Sequence, residues 1–236
     1  MDEPKEKVVG ILGGMGPEAT IDLFDKIVRA THAKKDEDHL RIIIDCNPKM
    51  PSRLDAILKG GPSPVPAMQE TAKNLVRAGA EIIIIGANTA HYFHADVQAA
   101  VKVPVLNMIE ETARATRERW PDVRKVGILA TTGTVKTQLY HKAYAKFGIE
   151  VAEPSPEHQE RVMESIFSFK YGGDIAEDRR RLTDVAEHLV RAGAQAILMG
   201  CTEIPVILKD VSLKVPLIDA NNIVAEVVVR RAKGVA

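Results

Sequence analysis

A single cysteine in the second half of the chain stands where a reactive group is expected. Cys201 follows a short apolar segment and Gly200, and Thr202 comes directly after it. The apolar segment is typical of a buried strand. The residues after it are typical of a helix start, where N–H groups and the helix dipole lower a thiol pKa from about 8.5. The sequence therefore predicts a functional thiol at Cys201. The alternative is a small buried apolar residue, a role that cysteine often takes.

Polar side chains suited to carboxylate oxygens follow other apolar segments. Asn88 and Thr89 follow one of them, and Thr131 and Thr132 follow another, which supplies an amide, hydroxyls and backbone N–H groups. Arg53, on a loop after the second predicted strand, can bind a carboxylate through two parallel hydrogen bonds. These residue types indicate an acidic ligand. For Arg53, a solvated loop side chain is the alternative.

The glycine-rich turn near the start of the chain matches a dinucleotide-binding fingerprint. Gly14, Gly16 and Ala19 have the spacing G-x-G-x-x-A after a predicted strand. However, Pro17 removes an N–H from the helix start where a pyrophosphate would bind. Asp45 also lies further along the chain than a ribose-binding acid should. A tight turn that packs closely against its helix is therefore the expected role.

Two histidines, His91 and His94, lie three residues apart on a predicted helix. No third ligand has a matching spacing, so we expect partly exposed surface histidines and no metal site. The sequence also lacks the G-x-S-x-G turn of serine hydrolases, the H-E-x-x-H zinc motif and the phosphate-binding loop G-x-x-x-x-G-K-[ST]. The chemistry therefore centres on the thiol and the carboxylate-binding groups.

The chain contains an internal duplication. The six residues LVRAGA occur at 75–80 and again at 189–194. Each copy continues with an apolar run, a glycine and one small residue, which is Ala87 in the first copy and Cys201 in the second. Two shorter segments recur in the same order and at nearly the same separation, 9–12 as 126–129 and 102–105 as 214–217. A repeat of this length predicts two similar structural halves.

Apolar runs and helical spacing predict strands that alternate with helices along the chain. Strands are expected at 7–12, 40–44, 81–85, 103–106, 125–129, 149–151, 196–199 and 215–218. Helices are expected at 17–32, 68–78, 91–100, 136–147, 156–171, 176–191 and 223–232, with a further helix starting at 201. This alternation predicts an α/β fold of parallel sheets, with ligands at the carboxyl ends of the strands.

The duplication also predicts the division of the chain. Residues 1–104 and 216–236 are expected to form the first α/β half, and residues 105–215 the second. If the two halves are pseudo-symmetric, the turns at 86–89 and 200–203 face each other across one cleft. The active site is therefore expected between the halves.

Composition excludes several classes of partner. The chain has 32 Lys and Arg against 32 Asp and Glu, so no polyanion is implied and nucleic acid is not an expected partner. Its apolar runs are far shorter than the roughly 20 residues of a membrane span, and its first residues have no signal-peptide pattern. The two cysteines have dissimilar surroundings, which does not suggest a disulfide. We expect a cytoplasmic protein with free thiols.

Five motifs occur in order over nearly the whole chain. They are Gly13-Gly14-Met15-Gly16-Pro17, Asn47-Pro48 with Pro51 and Arg53, Asn88-Thr89-Ala90-His91, Ala130-Thr131-Thr132-Gly133-Thr134, and Gly200-Cys201-Thr202-Glu203. Together they resemble the aspartate racemase branch of the aspartate/glutamate racemase family. Glu203 stands where glutamate racemases typically carry a histidine, which favours the aspartate branch.

The resemblance implies a PLP-independent racemase without a cofactor, a homodimer, and an amino dicarboxylate substrate, aspartate or glutamate. In this family one cysteine thiolate removes the α-proton, and a second thiol reprotonates the opposite face. The two thiols correspond to the positions of Ala87 and Cys201. Lys170 resembles a family lysine near the substrate, although the alignment there is shifted by one residue. The substrate-binding residues that the resemblance implies are Met15, Arg53, Asn88, Thr89, Thr131, Thr132, Thr134, Lys170, Thr202 and Glu203.

The sequence departs from the family pattern at the first thiol. Where the family reads Cys-Asn-Thr-Ala-His, this chain begins the motif with Ala87. A methyl group can neither take nor give a proton, so we expect racemisation by this chain to be impaired. Two alternatives stay open. One is a one-cysteine lyase or decarboxylase with Cys201 as proton donor, as in the related arylmalonate decarboxylase. The other is a non-catalytic dicarboxylate-binding protein.

Overall fold

A computed structural model describes residues 6–235, whose strands form two four-stranded sheets. The first sheet has the order β2-β1-β3-β4 and the second the order β6-β5-β7-β8. Every pairing is parallel. The strands are β1 Val9–Gly13, β2 Ile42–Cys46, β3 Ile82–Ile85, β4 Val105–Leu106, β5 Lys125–Leu129, β6 Glu150–Ala152, β7 Ala196–Met199 and β8 Leu217–Asp219. The α/β class and the duplication are thereby confirmed.

Helices connect and cover these strands. They are α1 Pro17–Ala30, α2 Arg53–Lys59, α3 Val65–Arg77, α4 His94–Ala99, α5 Met108–Arg119, α6 Thr132–Lys136, α7 Leu139–Ala145, α8 Pro156–Lys170, α9 Ile175–Arg191, α10 Ile204–Ile207 and α11 Ala220–Lys233. Short 3-10 helices span Asp36–Asp38 and Thr89–Phe93. Within residues 6–235, none of the helices has the length and apolar character needed to cross a membrane.

Internal contacts divide the chain into two compact units. Residues 6–111 together with residues 221–235 form the first unit, and Thr112–Ala220 form the second. Each unit contains one sheet and its own apolar core. In the first unit, Ile83 and Ile85 of β3 pack with Met68 and Leu75 of α3. The corresponding residues in the second unit are Ile197 and Met199 of β7 with Leu182 and Leu189 of α9.

The repeated LVRAGA segment forms the same helix end in both units. In the first copy, the N–H of Ala80 donates to Leu75 O at 2.9 Å and that of Gly79 to Val76 O at 2.9 Å. Gly79 has φ +103°, which completes a Schellman cap that favours glycine. The second copy repeats the cap, with Gly193 at φ +95°. Both copies of the repeat therefore end their helix with the same cap, and β3 and β7 begin shortly after it.

Several elements differ from the sequence-based expectation. Residues after β2 were expected to form a loop, but α2 begins at Arg53, because Ser52 accepts a hydrogen bond from the N–H of Asp55 and caps it. No helix was predicted at α5, whose buried face is built largely from alanine and threonine and so gives little hydrophobic periodicity. The helix expected over 136–147 is divided into α6 and α7, with Gln138 between them at φ +54°.

Candidate active site

In the second unit, Cys201 lies next to a charged pair. Its thiol donates to Glu203 Oε2, with an Sγ–Oε2 distance of 2.9 Å. The hydroxyl of Thr202 donates to the same oxygen at 3.0 Å. The ammonium of Lys170, at the end of α8, lies 2.9 Å from Glu203 Oε1. The structure therefore brings three of the predicted site residues together around the carboxylate of a fourth, Glu203.

The environment of Cys201 keeps its sulfur protonated. The residue is 6% exposed, and burial raises the pKa of the Cys201 thiol well above its ordinary value. The Glu203 carboxylate raises this pKa further, while Lys170 lowers it. The lowered pKa expected from the sequence was wrong. Residues 201–203 form a turn, and α10 begins only at Ile204 and is four residues long. In this form the thiol is a proton donor.

Gly200 fixes the path of the chain into this turn. Its N–H donates to Leu129 O of β5 at 2.8 Å, so the turn continues the pairing of β5 with β7. A Cβ at Gly200 would lie 3.1 Å from the ring of Tyr140 and 3.2 Å from Cβ of Ala130. Since these contacts are tighter than ordinary packing, the glycine lets Tyr140 lie directly against the backbone before Cys201.

The loop at residues 130–134 of the second unit is fixed by hydrogen bonds within itself and from α8. Thr131 caps α6 by accepting the N–H of Thr134 at 3.3 Å, and the hydroxyls of the two residues are 3.1 Å apart. The side-chain amide of Gln159 on α8 donates to Ala130 O at 2.9 Å and to Thr132 Oγ1 at 3.3 Å. Thr131 and Thr134 are buried. Thr132 is partly exposed and lines an open cleft of about 900 Å³ beside α8.

In the first unit, Ala87 occupies the position equivalent to Cys201. It directly follows β3 and Gly86, whose N–H donates to Leu12 O at 2.9 Å. Ala87 is buried in an apolar cluster that also contains Met15 and Met50. Asn88 is buried beside it, and Thr89 begins the 3-10 helix. The predicted site residues Met15 and Ala87 therefore belong to one packed group.

His91 supports the Ala87 turn, a role that its position in the sequence does not reveal. Its Nδ1 lies 2.9 Å from Ala87 O, and its Nε2 accepts the N–H of Met108 at 3.1 Å. Burial lowers the pKa of His91 to about 4, so the ring is neutral, with its proton on Nδ1. The expectation of a partly exposed surface histidine was wrong for His91. The partners are backbone groups, one of them from the distant start of α5, and no sequence spacing points to them.

The remaining predicted residues of the first unit lie on its turns. Arg53 is the first residue of α2, and its Nη1 donates to Pro51 O at 3.1 Å. The glycine turn after β1 packs closely, as expected. The N–H of Gly14 donates to Thr20 Oγ1 at 2.9 Å, and a Cβ on Gly14 would lie 2.4 Å from the backbone of Asn47. The N–H of Gly14 is thus already bonded to the Thr20 hydroxyl and is not available to a bound phosphate.

Comparison with known proteins identifies the family. A family model described as Asp/Glu/Hydantoin racemase matches residues 12–228. The chain belongs to this family. In the solved structure of a Picrophilus torridus aspartate racemase, the protein is 32% identical, with a TM-score of 0.86 over 96% of this chain and 94% of that one. The broad specificity amino-acid racemase RacX of Bacillus subtilis is 24% identical over 93% of this chain and 95% of its own.

A glutamate racemase of Corynebacterium diphtheriae is also similar, with 30% identity over 62% of this chain and 56% of its own length. The relatives therefore include racemases named for aspartate, for glutamate and for broad specificity. The chain is therefore an enzyme of the amino-acid racemase type, an isomerase.

Proposed function

We propose that this enzyme acts on the α-carbon of aspartate by cofactor-independent proton transfer through Cys201. The observation that carries the proposal is the Cys201 thiol, buried at the end of β7 and bonded to Glu203. The likeness to an aspartate racemase supports aspartate as the substrate, with glutamate as the nearest alternative. The proposal includes a cytoplasmic homodimer, as the family resemblance implies.

The position of Ala87 limits what this site can do. Racemisation requires that a proton leave one face of the α-carbon and that another arrive on the opposite face. Cys201 can serve one face, but the methyl group of Ala87 cannot serve the other. We therefore expect exchange of the α-proton with solvent on one face, and racemisation that is much slower than a two-thiol enzyme would give.

The proposed substrate contacts come from the polar residues of the turns. A carboxylate can accept two parallel hydrogen bonds from the guanidinium of Arg53, and further bonds from N–H and hydroxyl groups. Lys170 adds a positive charge next to Glu203. The residues assigned to the two carboxylates are Arg53, Asn88, Thr89, Thr131, Thr132, Thr134, Thr202 and Lys170, and Met15 is assigned to apolar contact.

One observation favours a second function, a lyase or decarboxylase with a single thiol. In such a reaction an enolate forms by loss of another group, and one acid then protonates it. The Cys201 thiol is held in its protonated form, as this role requires. Ala87 is no handicap here, because no second proton transfer is needed. The substrate would be an amino dicarboxylate or a malonate-type diacid.

Proton exchange separates these functions. The protein is incubated in D₂O with L-aspartate, and separately with D-aspartate, and deuterium at the α-carbon is followed by NMR. We expect uptake from one enantiomer, with little of the other formed. Binding without uptake from either would exclude the racemase-type reaction. Release of carbon dioxide from a diacid would then support the decarboxylase, and its absence a dicarboxylate-binding protein.

A further inference from the structure

A continuous line of polar contacts leads from the buried sulfur to a side chain that reaches solvent. Cys201 Sγ and Glu203 Oε2 are 2.9 Å apart, and Glu203 Oε1 and Lys170 Nζ are also 2.9 Å apart. The Glu203 side chain is only 6% exposed, whereas 32% of the Lys170 side chain is accessible. The two oxygens of one carboxylate thus contact a buried acid on one side and a partly solvated ammonium on the other.

We propose that Glu203 and Lys170 relay the proton of Cys201 between the buried thiol and solvent. This role rests on the proposed function, because it supplies the solvent proton that α-carbon exchange requires. It makes Glu203 an acid–base partner of the sulfur and not only a substrate ligand. Thr202 is the positioning residue, since its hydroxyl bonds to the same Oε2 that accepts the thiol proton.

The proton steps balance without any co-reactant other than water. When sulfur must become a thiolate, its proton moves to Glu203 Oε2 and forms a carboxylic acid. The Lys170 ammonium gives a proton to water, the carboxyl group turns about its Cγ–Cδ bond, and the acid returns a proton to the amine. The reverse sequence reprotonates the thiolate from solvent. Only bonds to hydrogen form or break.

Because the chain has Ala87 in place of a second thiol, exchange of the α-proton depends on how the Cys201 proton reaches solvent. In the family's two-thiol mechanism the other face is served by the residue equivalent to Ala87, so a proton that Cys201 removes from the α-carbon returns to the face that it left. Without a path to solvent, the thiol would hand back the same proton and no exchange would be seen. The relay therefore determines whether label is lost from the substrate.

The first test follows the thiol without substrate. A Cys46→Ser background leaves Cys201 as the only cysteine of the chain, and its alkylation by iodoacetamide is measured as a function of pH. Glu203→Gln should move the inflection down by about one pH unit, because a negative charge next to the sulfur is lost. Lys170→Met should move it up. Glu187→Gln, which removes an exposed carboxylate paired with Arg191, should leave it unchanged. Equal inflections in all four proteins would refute the relay.

The second test follows the proton itself. Aspartate deuterated at the α-carbon is incubated in ordinary water, and loss of deuterium is measured. Glu203→Gln and Lys170→Met should lower the rate of loss at least tenfold at saturating aspartate, with the saturating concentration set for each variant from the Kd that calorimetry gives. Glu187→Gln should behave like the unchanged chain. Deuterium loss from Glu203→Gln at the same rate as from the unchanged chain would overturn the relay. No loss from the unchanged chain, with aspartate bound and the alkylation inflections shifted as expected, would instead overturn the proposed function.

Discussion

At the scale of single residues, the equivalent positions after β3 and β7, Ala87 and Cys201, carry side chains of different chemistry. Both are buried in the apolar core of their unit, and both follow a glycine whose N–H donates to the neighbouring strand, β1 or β5. Cys201 retains a titratable proton and a carboxylate partner, whereas Ala87 has neither. The difference in chemistry is therefore set by side chains and not by the backbone that carries them.

Restoring the first thiol tests this directly. Ala87→Cys should raise the rate of aspartate racemisation at least 100-fold, the lower end of what one positioned acid or base contributes. Ala87→Ser is the matched control, since it is similar in size but a far weaker acid, and it should change the rate little. The rate is measured by polarimetry, and calorimetry checks that aspartate still binds. A folded, aspartate-binding Ala87→Cys protein without increased racemisation would contradict the racemase-type mechanism.

The two cysteines should differ in reactivity, with Cys46 reacting faster than Cys201. Cys46 is exposed, whereas Cys201 is buried and its pKa is raised. Since the thiolate is the reactive form, iodoacetamide at pH 7 should modify Cys46 at least about tenfold faster. Mass spectrometry of tryptic peptides measures both rates in one sample, and Cys46→Ser confirms the assignment. Faster labelling of Cys201 would show that its thiol is neither buried nor protonated in solution.

At the scale of elements, the sequence predicts strands better than side-chain environments. The strands β3 and β7 are continuous apolar runs, as buried parallel strands should be, and the observed bounds of β7 are those expected. The turn positions of Cys201 and Ala87 follow from these strands. The raised pKa of Cys201 could not be predicted, because sequence spacing reveals neither the burial of the thiol nor the rotamer that brings Glu203 to the sulfur. The assignments of substrate-binding residues stay predictions.

The link between the Ala87 turn and α5 predicts a pH effect on stability. In the folded protein the pKa of His91 is about 4, against about 6.5 for an unperturbed histidine. The unfolded chain therefore binds more protons between these values. The resulting stability is fully present above about pH 6.5 and is lost as the pH falls towards 4. The loss amounts to roughly 3 kcal/mol, from 1.36 kcal/mol per pH unit.

Urea unfolding at pH 7 and pH 4.5 measures this effect. His91→Gln, which cannot titrate, should be less stable at pH 7 and should lose less stability between the two pH values. The control is His94→Gln, which removes the neighbouring ring that bonds to Val105 O and leaves His91 in place. An unchanged pH dependence in His91→Gln would show that His91 is not the group whose protonation destabilises the fold.

At the scale of the whole molecule, the two units repeat one design and differ in how their turns are held. Each has a four-stranded parallel sheet with the same strand order and the same Schellman cap before its third strand. The first unit holds its turn with the neutral ring of His91. The second surrounds its turn with hydroxyls, a carboxylate and an ammonium. The duplication thus supplies the scaffold, and each unit has its own polar groups.

Ligand binding should stabilise the protein as a whole. Aspartate that binds only the folded chain should add about 2.7 kcal/mol at 100 times its Kd, which corresponds to roughly 5–10 °C in Tm for a chain of this size. Arg53→Ala should weaken binding by about 1.5–3 kcal/mol, the range for a hydrogen bond to a charged group. Arg29→Ala is the matched control, because Arg29 is exposed and pairs with Asp25 on α1. Differential scanning fluorimetry with L- and D-aspartate and both glutamate enantiomers measures the shifts. If none of these acids raises Tm, or if both arginine variants respond equally, Arg53 is not a carboxylate ligand.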